Sequence, residues 1–150
     1  MYCQLDQVGE ILRVAGAAKA AVCRDLQEPF DAAAISFKAS AIIFGWLLLQ
    51  DNDVFIKKGH IRSDNRQTAL YWVELYLDGV PFVLTVNCDP VPEVLFLPEE
   101  EAEEEYGLTP EQDHEWQPAD CEEEIWQAAL NELDINKPAQ EIIEDISKIM

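Results

Sequence analysis

The chain has few of the residues from which phosphate, metal and redox sites are usually built. Glycine occurs only six times in 150 residues and never in a GxGxxG pattern, so the sequence contains no glycine-rich loop for a nucleotide phosphate. None of the four cysteines belongs to a CxxC pair or to another paired metal-ligand spacing. We therefore expect neither a cofactor nor a metal ion.

Basic residues are scarce as well. The chain has 10 lysines and arginines against 30 aspartates and glutamates, which gives a formal net charge of −20. A charge of this sign and size repels phosphate backbones and anionic lipid head groups. The one group of cations, Lys57, Lys58, Arg62 and Arg66, is interpreted as solvated strand and turn residues. We expect no direct binding to nucleic acid or to a membrane.

An export signal and a long apolar run are also missing. Asp6, Glu10 and Arg13 interrupt the region where a signal-peptide core would lie. The longest apolar run, Ala39–Leu49, has about eleven residues, whereas a bilayer-spanning helix needs about 20. We therefore expect a cytoplasmic protein with reduced thiols.

The apolar residues, 49% of the chain, are spaced in a way that predicts two N-terminal helices followed by strands. Apolar positions recur at helical spacing over Gln4–Gln27. A second, more apolar helix is predicted to begin after the N-cap residue Asp31 and to end near Leu49, at the centre of the fold. Val54–Arg62 is predicted as the first strand and Val94–Leu97 as a short edge strand.

An Asp78-Gly79 dipeptide between two apolar runs predicts a β-hairpin with a two-residue turn. Such a turn fixes the register, because it pairs the residues on either side of it. The predicted cross-strand pairs are Leu77 with Val80, Leu75 with Phe82, Val73 with Leu84 and Tyr71 with Val86. All of these side chains are apolar and share one face. The opposite face carries Trp72, Glu74, Tyr76, Val83, Thr85 and Asn87.

The composition changes at Pro98. Residues 99–105 hold six glutamates in seven positions, and blocks of like charge are usually extended or disordered. Further on, Asp120 and Glu123 resemble a capping box at the start of a helix, and Pro138 suits the first turn of a last helix. Both helices are amphipathic, so they must dock either on the core or on a partner.

These elements predict an α+β fold in which two N-terminal helices pack on a small antiparallel sheet of three or four strands. We place this core domain in residues 1–97 and an acidic C-terminal extension with two short amphipathic helices in residues 98–150. The charge is divided unevenly along the chain. Residues 1–92 hold 8 basic and 11 acidic side chains, whereas residues 93–150 hold 2 basic and 19 acidic ones, so the net charges are −3 and −17.

Residues 31–90 carry a resemblance to a known family. Residues 71–79, Tyr-Trp-Val-Glu-Leu-Tyr-Leu-Asp-Gly, resemble a His-Ala-Trp-Val-Glu segment and the turn that follows it in the transglutaminase-like (papain-like) cysteine hydrolases. Gly59-His60 before this segment and Asp89-Pro90 after it extend the match. The resemblance implies a central helix that opens with a catalytic cysteine, followed by strands that carry a histidine and an aspartate.

The catalytic triad of that family is degenerate in this chain. Leu70 stands at the histidine position and cannot accept a proton. Ser36 is the nucleophile nearest to the cysteine position, and only Asp89 corresponds to the acid. Because a reactive thiolate needs an adjacent base or a positive environment, the resemblance implies a scaffold without catalytic activity.

Other reactive residues have alternative interpretations. Cys23 and His60, with Asp25 or Asp89, would form a cysteine hydrolase site if the fold brought them together. The plainer interpretation is a cysteine packed between helices and an ordinary strand histidine. Asp113–Glu115 and Cys121 offer metal-ligand atoms, but their spacing favours a solvated acidic loop.

The acidic C-terminal region favours a binding protein over an enzyme. Carboxylates along helices and an extended run can imitate nucleic-acid phosphates and steer association with a basic surface. We predict a non-enzymatic inhibitor, adaptor or nucleic-acid mimic whose partner presents a basic surface, as a nucleic-acid-binding protein does. Trp116 is predicted to be a partner-binding residue because Trp is enriched among binding hot spots. The predicted partner-binding residues are Glu99, Glu100, Glu101, Glu103, Glu104, Glu105, Glu111, Asp113, Glu115, Trp116, Asp120, Glu122, Glu123 and Glu124.

Three alternatives stay open at this point. The acidic run would serve only solubility if it has no partner. The chain would be a cysteine hydrolase or acyltransferase if a reactive thiol lies beside a base. It would be a structural subunit of a larger assembly if the two terminal helices dock on another chain. The sequence leaves the oligomeric state undetermined.

Overall fold

The computed structural model describes residues 2–24, 31–63, 66–87, 93–113 and 121–149. Within these ranges the chain forms five helices and one antiparallel sheet of five strands. The α+β class is therefore confirmed. The helices are α1 (Tyr2–Val22), α2 (Ala32–Leu49), α3 (Glu99–Tyr106), α4 (Glu123–Glu132) and α5 (Ala139–Ile149), and the strands are β1 (Val54–Ser63), β2 (Arg66–Leu77), β3 (Val80–Asn87), β4 (Glu93–Pro98) and β5 (Thr109–Asp113).

Helix α2 begins where it was predicted because Asp31 caps its first turn. The Asp31 carboxylate accepts hydrogen bonds from the backbone N–H of Ala33 (3.0 Å) and of Ala34 (3.3 Å), two of the donors that a helix start leaves free. The 18 residues of α2 have a mean hydropathy of 1.8, so by length and composition alone this helix is able to span a membrane. Half of it is buried inside the fold, and a core helix meets the same two criteria.

The strands lie in the order β4-β3-β2-β1-β5, and the predicted edge strand is β4. At the hairpin turn Asp78 and Gly79 both have positive φ, 52° and 79°, as a two-residue turn of this kind requires. Three predicted pairs are confirmed, namely Leu77–Val80, Leu75–Phe82 and Val73–Leu84. The fourth, Tyr71–Val86, is wrong because the ladder ends at Val73 and Leu84.

Side-chain hydroxyls take the place of ladder bonds at Tyr71. Ser36 of α2 accepts a hydrogen bond of 3.0 Å from the Tyr71 N–H. The Tyr71 carbonyl accepts bonds from Thr85 (2.6 Å) and Ser40 (3.2 Å). All three hydroxyl side chains belong to residues that are 0% exposed, where an unpaired backbone group costs about 1–3 kcal/mol. Ser36, considered above as a nucleophile, thus joins α2 to β2.

The fifth strand corrects the prediction of three or four strands. Strand β5 pairs with β1, and the register shifts between Lys58 and Gly59. Thr109–Asp113 has no apolar alternation, so the hydrophobic pattern did not mark it as a strand. Its close approach needs a glycine on β1, since a Cβ at Gly59 would overlap the Thr109 carbonyl oxygen and lie 2.8 Å from the Trp72 ring.

The two faces of the sheet are covered differently. The first face carries Val73, Leu75 and Leu84, which share one core with apolar residues of α1, α2, α4 and α5. The second face carries Trp72 and Val83, which pack with residues of α3 and its flanking segments. The sheet thus separates a thick helical layer from the short helix α3.

Helices α4 and α5 dock on the core of this chain, one of the two alternatives considered above. Trp126, Leu130 and Ile146 are at most 1% exposed and belong to the same cluster as Ile11 and Ile42. Side chains from both sides of the predicted boundary at residues 97 and 98 therefore pack together. That boundary itself stays a prediction about independent folding.

We expect Trp126→Ala to lower the free energy of unfolding by about 3–5 kcal/mol, because removal of a fully buried Trp leaves a cavity. Urea unfolding followed by circular dichroism measures this change. Leu12→Ala is the control, since Leu12 is 42% exposed and its truncation should change stability by only about 0.5 kcal/mol. A single transition that shifts as a whole indicates one cooperative core. A second transition that Trp126→Ala leaves unchanged would show that residues 1–97 fold independently.

Candidate partner-binding surface

Residues 99–105 form most of helix α3, so the expectation of an extended or disordered segment is wrong. The first turn contains Glu99–Glu101, and carboxylates there interact favourably with the positive end of the helix dipole. At the other end Gly107 adopts a left-handed conformation with φ 61°. The N–H groups of Gly107 and Leu108 both donate to the Ala102 carbonyl, the latter at 3.3 Å. This arrangement caps the last turn.

Packing against the sheet holds α3 in place. Ala102 is 0% exposed and belongs to a buried cluster with Trp72, Val83 and Leu95. This contact uses one narrow side of the helix and leaves the others in solvent. No salt bridge joins the exposed glutamates of α3 to a cation within the described ranges. The exposed glutamates are Glu100, Glu101, Glu103, Glu104 and Glu105, and we call them the α3 carboxylates.

Glu111 of β5 already has a partner. Its Oε1 lies 2.8 Å from Nδ1 of His60 on β1, across the outermost pair of strands. No described contact joins His60 to Cys23, the pair considered for a hydrolase site. Asp113 is the last residue of β5, and its side chain lies outside the described part of the structure.

The glutamates that precede and open α4 lie apart from the α3 carboxylates. Helix α4 belongs to the layer over the first face of the sheet, whereas α3 lies on the second. Glu122, and not the predicted Asp120, occupies the N-cap position of α4, and Glu123 and Glu124 form its first turn.

The Glu122 carboxylate lies 3.0 Å from Lys38 Nζ. A hydrogen bond from its own backbone N–H, and then Lys38, lower the pKa of Glu122. Glu115, Trp116 and Asp120 lie outside the described residues.

A pair of carboxyl groups lies where the first turn of α3 meets the sheet. Glu74 of β2 is only 6% exposed. Its Oε1 accepts a hydrogen bond of 3.0 Å from the Tyr76 hydroxyl, and its Oε2 lies 4.0 Å from Lys57 Nζ. The side chain of Glu99 lies beside that of Glu74, and a hydrogen bond to Glu74 is among the causes that raise the pKa of Glu99. Two carboxyl groups form such a bond only when one of them holds a proton.

The surroundings of Glu99 favour its protonated form. Burial, followed by the hydrogen bond to Glu74 and the charges of Glu74 and Glu103, raises the pKa of Glu99 from 4.5 to about 7, while Lys57 acts in the opposite direction. Near neutral pH Glu99 therefore titrates between its acid and its carboxylate form. No local sequence pattern indicates this pair, because the contact forms only once α3 packs on the sheet.

The described cysteines are poorly suited to nucleophilic chemistry. Cys121 is 1% exposed, and burial raises the pKa of its thiol to about 12. Burial also raises the pKa of the Cys23 thiol. A raised pKa leaves little thiolate at neutral pH. Within the described ranges no group of three or more His, Cys, Asp or Glu side chains is placed to hold a metal ion.

No protein-family model, curated protein or solved structure matches this chain. The resemblance to transglutaminase-like hydrolases stays a prediction. Leu70, at the position of the family's histidine, is buried in the second-face cluster, whereas Ser36 lies on α2 in the opposite layer. Asp89 lies outside the described residues.

We expect Glu99→Gln to stabilise the protein at pH 8 and to have a smaller effect as the pH falls toward 5. The raised pKa means that between about 4.5 and about 7 the unfolded chain loses a proton that the folded chain keeps, so the contribution of Glu99 to stability declines as pH rises through this window. Glutamine stays neutral and can still donate a hydrogen bond to Glu74. The expected gain at pH 8 is about 1 kcal/mol, allowing for solvent screening of a half-buried group.

Urea unfolding at several pH values measures this difference. Glu100→Gln is the matched control, because it removes the same charge from an exposed position one residue away. Its effect should change little between pH 5 and pH 8. Parallel pH profiles of stability for wild type and Glu99→Gln would contradict the raised pKa of Glu99.

Cys23 and Cys121 are expected to react with iodoacetamide at neutral pH no faster than ordinary buried thiols, because burial raises the pKa of both. Mass spectrometry of peptides after timed labelling gives the rate for each cysteine. Rapid labelling of either residue in the folded protein would favour the hydrolase alternative.

Proposed function

We propose that this protein binds a basic partner through the α3 carboxylates and acts as an inhibitor, an adaptor or a mimic of nucleic acid. The observation that supports this most directly is the arrangement of α3, in which Ala102 is buried while five glutamates face solvent. A charge run that served only solubility would not need a capped and packed helix.

The helix gives the carboxylates fixed relative positions. Glu100 and Glu104, like Glu101 and Glu105, are four residues apart and so lie about 5–6 Å from each other along the helix surface. Because the backbone is already ordered, a partner does not bear the entropy of ordering these residues. Fixed carboxylates suit a basic surface better than a disordered tail of equal charge.

Long-range attraction adds to these contacts. Residues 93–150 carry a net charge of −17, which attracts a basic partner from beyond contact distance and accelerates association. This attraction weakens with salt, because the Debye length falls from about 10 Å at 0.1 M to about 3 Å at 1 M. We place the interaction in the cytoplasm, where a nucleic-acid-binding protein is one partner with a surface of the required charge.

The triple variant Glu100→Gln/Glu104→Gln/Glu105→Gln should bind a ten-residue lysine peptide about tenfold more weakly than wild type at low salt, since each exposed ion pair contributes about 0.2–1 kcal/mol. Isothermal titration calorimetry or fluorescence anisotropy of a labelled peptide measures the loss. The difference between the two proteins should shrink as salt is added.

The matched control is Glu132→Gln/Glu141→Gln/Glu144→Gln, which removes the same charge from exposed positions of α4 and α5. It should keep most of the wild-type affinity. Equal losses in both triple variants would mean that only net charge matters and would contradict a binding surface on α3. Substitution of glutamate by glutamine is preferable to truncation after Pro98, because truncation would remove Trp126 and Ile146 from the core.

A further inference from the structure

The second face of the sheet is covered at one end and open at the other. Trp72 and Val83, in the cluster with α3, are both 0% exposed. Phe55 and Tyr76 are 43% and 41% exposed. Phe55 pairs across strands with Glu74, and Tyr76 follows Glu74 by two residues, so all three side chains belong to the second face.

The two exposed aromatic rings are in contact with each other. Their centroids lie 6.4 Å apart with an interplanar angle of 86°, an edge-to-face arrangement. Single exposed aromatic residues are common on protein surfaces, but here two large rings adjoin each other beside an acidic helix. We call Phe55 and Tyr76 the aromatic pair.

The aromatic pair adjoins the carboxyl groups at the start of α3. The Tyr76 hydroxyl donates to Glu74. Glu99 directly follows Pro98, which pairs with Phe82, and Phe82 pairs with Leu75 next to Glu74. The negative charge of Glu99 also acts on Tyr76 and helps to raise the pKa of Tyr76, after the larger effects of Glu74 and of burial. An uncovered apolar surface thus lies directly beside carboxylates, a combination that complements a cation with an apolar or planar body.

From this juxtaposition, and resting on the proposed function, we infer that the aromatic pair with Glu99 is the anchor for an arginine side chain of the basic partner. A guanidinium group is planar and weakly hydrated, so it stacks on an exposed aromatic ring more readily than an ammonium group does. Its forked donors also match the two oxygens of a carboxylate. Lysine offers the same charge without either feature.

Binding of arginine at this place should release a proton. In the free protein burial and the neighbouring Glu74 favour the protonated form of Glu99, and the other charged groups that act on Glu99 are Lys57 of β1 and Glu103 of α3. A guanidinium beside Glu99 favours the carboxylate form. The proton then passes to solvent, and the ion pair with arginine replaces the carboxyl hydrogen bond.

The test compares a ten-residue arginine peptide with a ten-residue lysine peptide, both with blocked termini. Wild-type protein should bind the arginine peptide about two- to fivefold more tightly, the range expected for an exposed cation–π contact. Phe55→Ala/Tyr76→Leu should reduce this ratio to about one, whereas Leu12→Ala, which truncates a similarly exposed apolar residue on α1, should preserve it. A ratio of one in wild type, or a ratio that the double variant keeps, would overturn the inference.

Calorimetry of the arginine peptide in phosphate and in Tris at neutral pH provides a second measurement. A difference in observed enthalpy between the two buffers reports proton release in wild type, and Glu99→Gln should abolish it. Equal enthalpies in wild type would overturn the inference even if an arginine preference were found. Failure of the proposed function is a separate result, since neither peptide would then lose affinity when the α3 carboxylates are replaced by glutamine.

Discussion

The burial of Trp72 beneath the α3 cluster is the contact on which the acidic surface depends. Trp72 is 0% exposed, and its ring lies so close to Gly59 that no side chain fits there. Its Nε1 has no hydrogen-bond partner among the described residues, a loss of about 1–3 kcal/mol that burial of the ring must offset. Loss of α3 would remove Ala102 from the cluster in which this ring is buried. Without the ring, the cluster around Ala102 would lose its largest side chain and keep smaller ones such as Val83 and Leu95.

The contact with the sheet matters because α3 would be unstable as an isolated helix. Glutamates four residues apart, such as Glu100 and Glu104, repel each other by about 0.2–0.5 kcal/mol per pair. A helix of eight residues is also too short to be stable alone in water. The cap at Gly107 and the burial of Ala102 and Leu108 supply the stability that the helix does not have on its own. The α3 carboxylates are therefore held in place by residues that are not themselves acidic.

This division of roles explains which features the sequence predicts. The cap at Asp31 and three pairs of the Asp78-Gly79 hairpin follow from local rules, so they are visible in a few adjacent residues. The pairing of Tyr71 differs because Ser36 and Ser40, distant in sequence, supply its hydrogen bonds. Helix α3 and β5 were missed because their stability comes from contacts with the sheet and not from apolar periodicity. The Glu74–Glu99 pair was missed for the same reason, since it requires two segments that are distant in sequence to meet.

The repulsion within α3 also gives the proposed interaction its physical advantage. Carboxylates that are crowded in the free protein lose that repulsion when cations of a partner lie between them, so relief of repulsion adds to the direct attraction. The raised pKa of Glu99 lowers this crowding, because the protonated form of the first residue of the helix carries no charge. In the proposed complex a cation beside Glu99 favours its carboxylate form, so that this charge becomes available for binding. Under the proposed function the same carboxyl group thus eases folding in the absence of the partner and strengthens recognition in its presence.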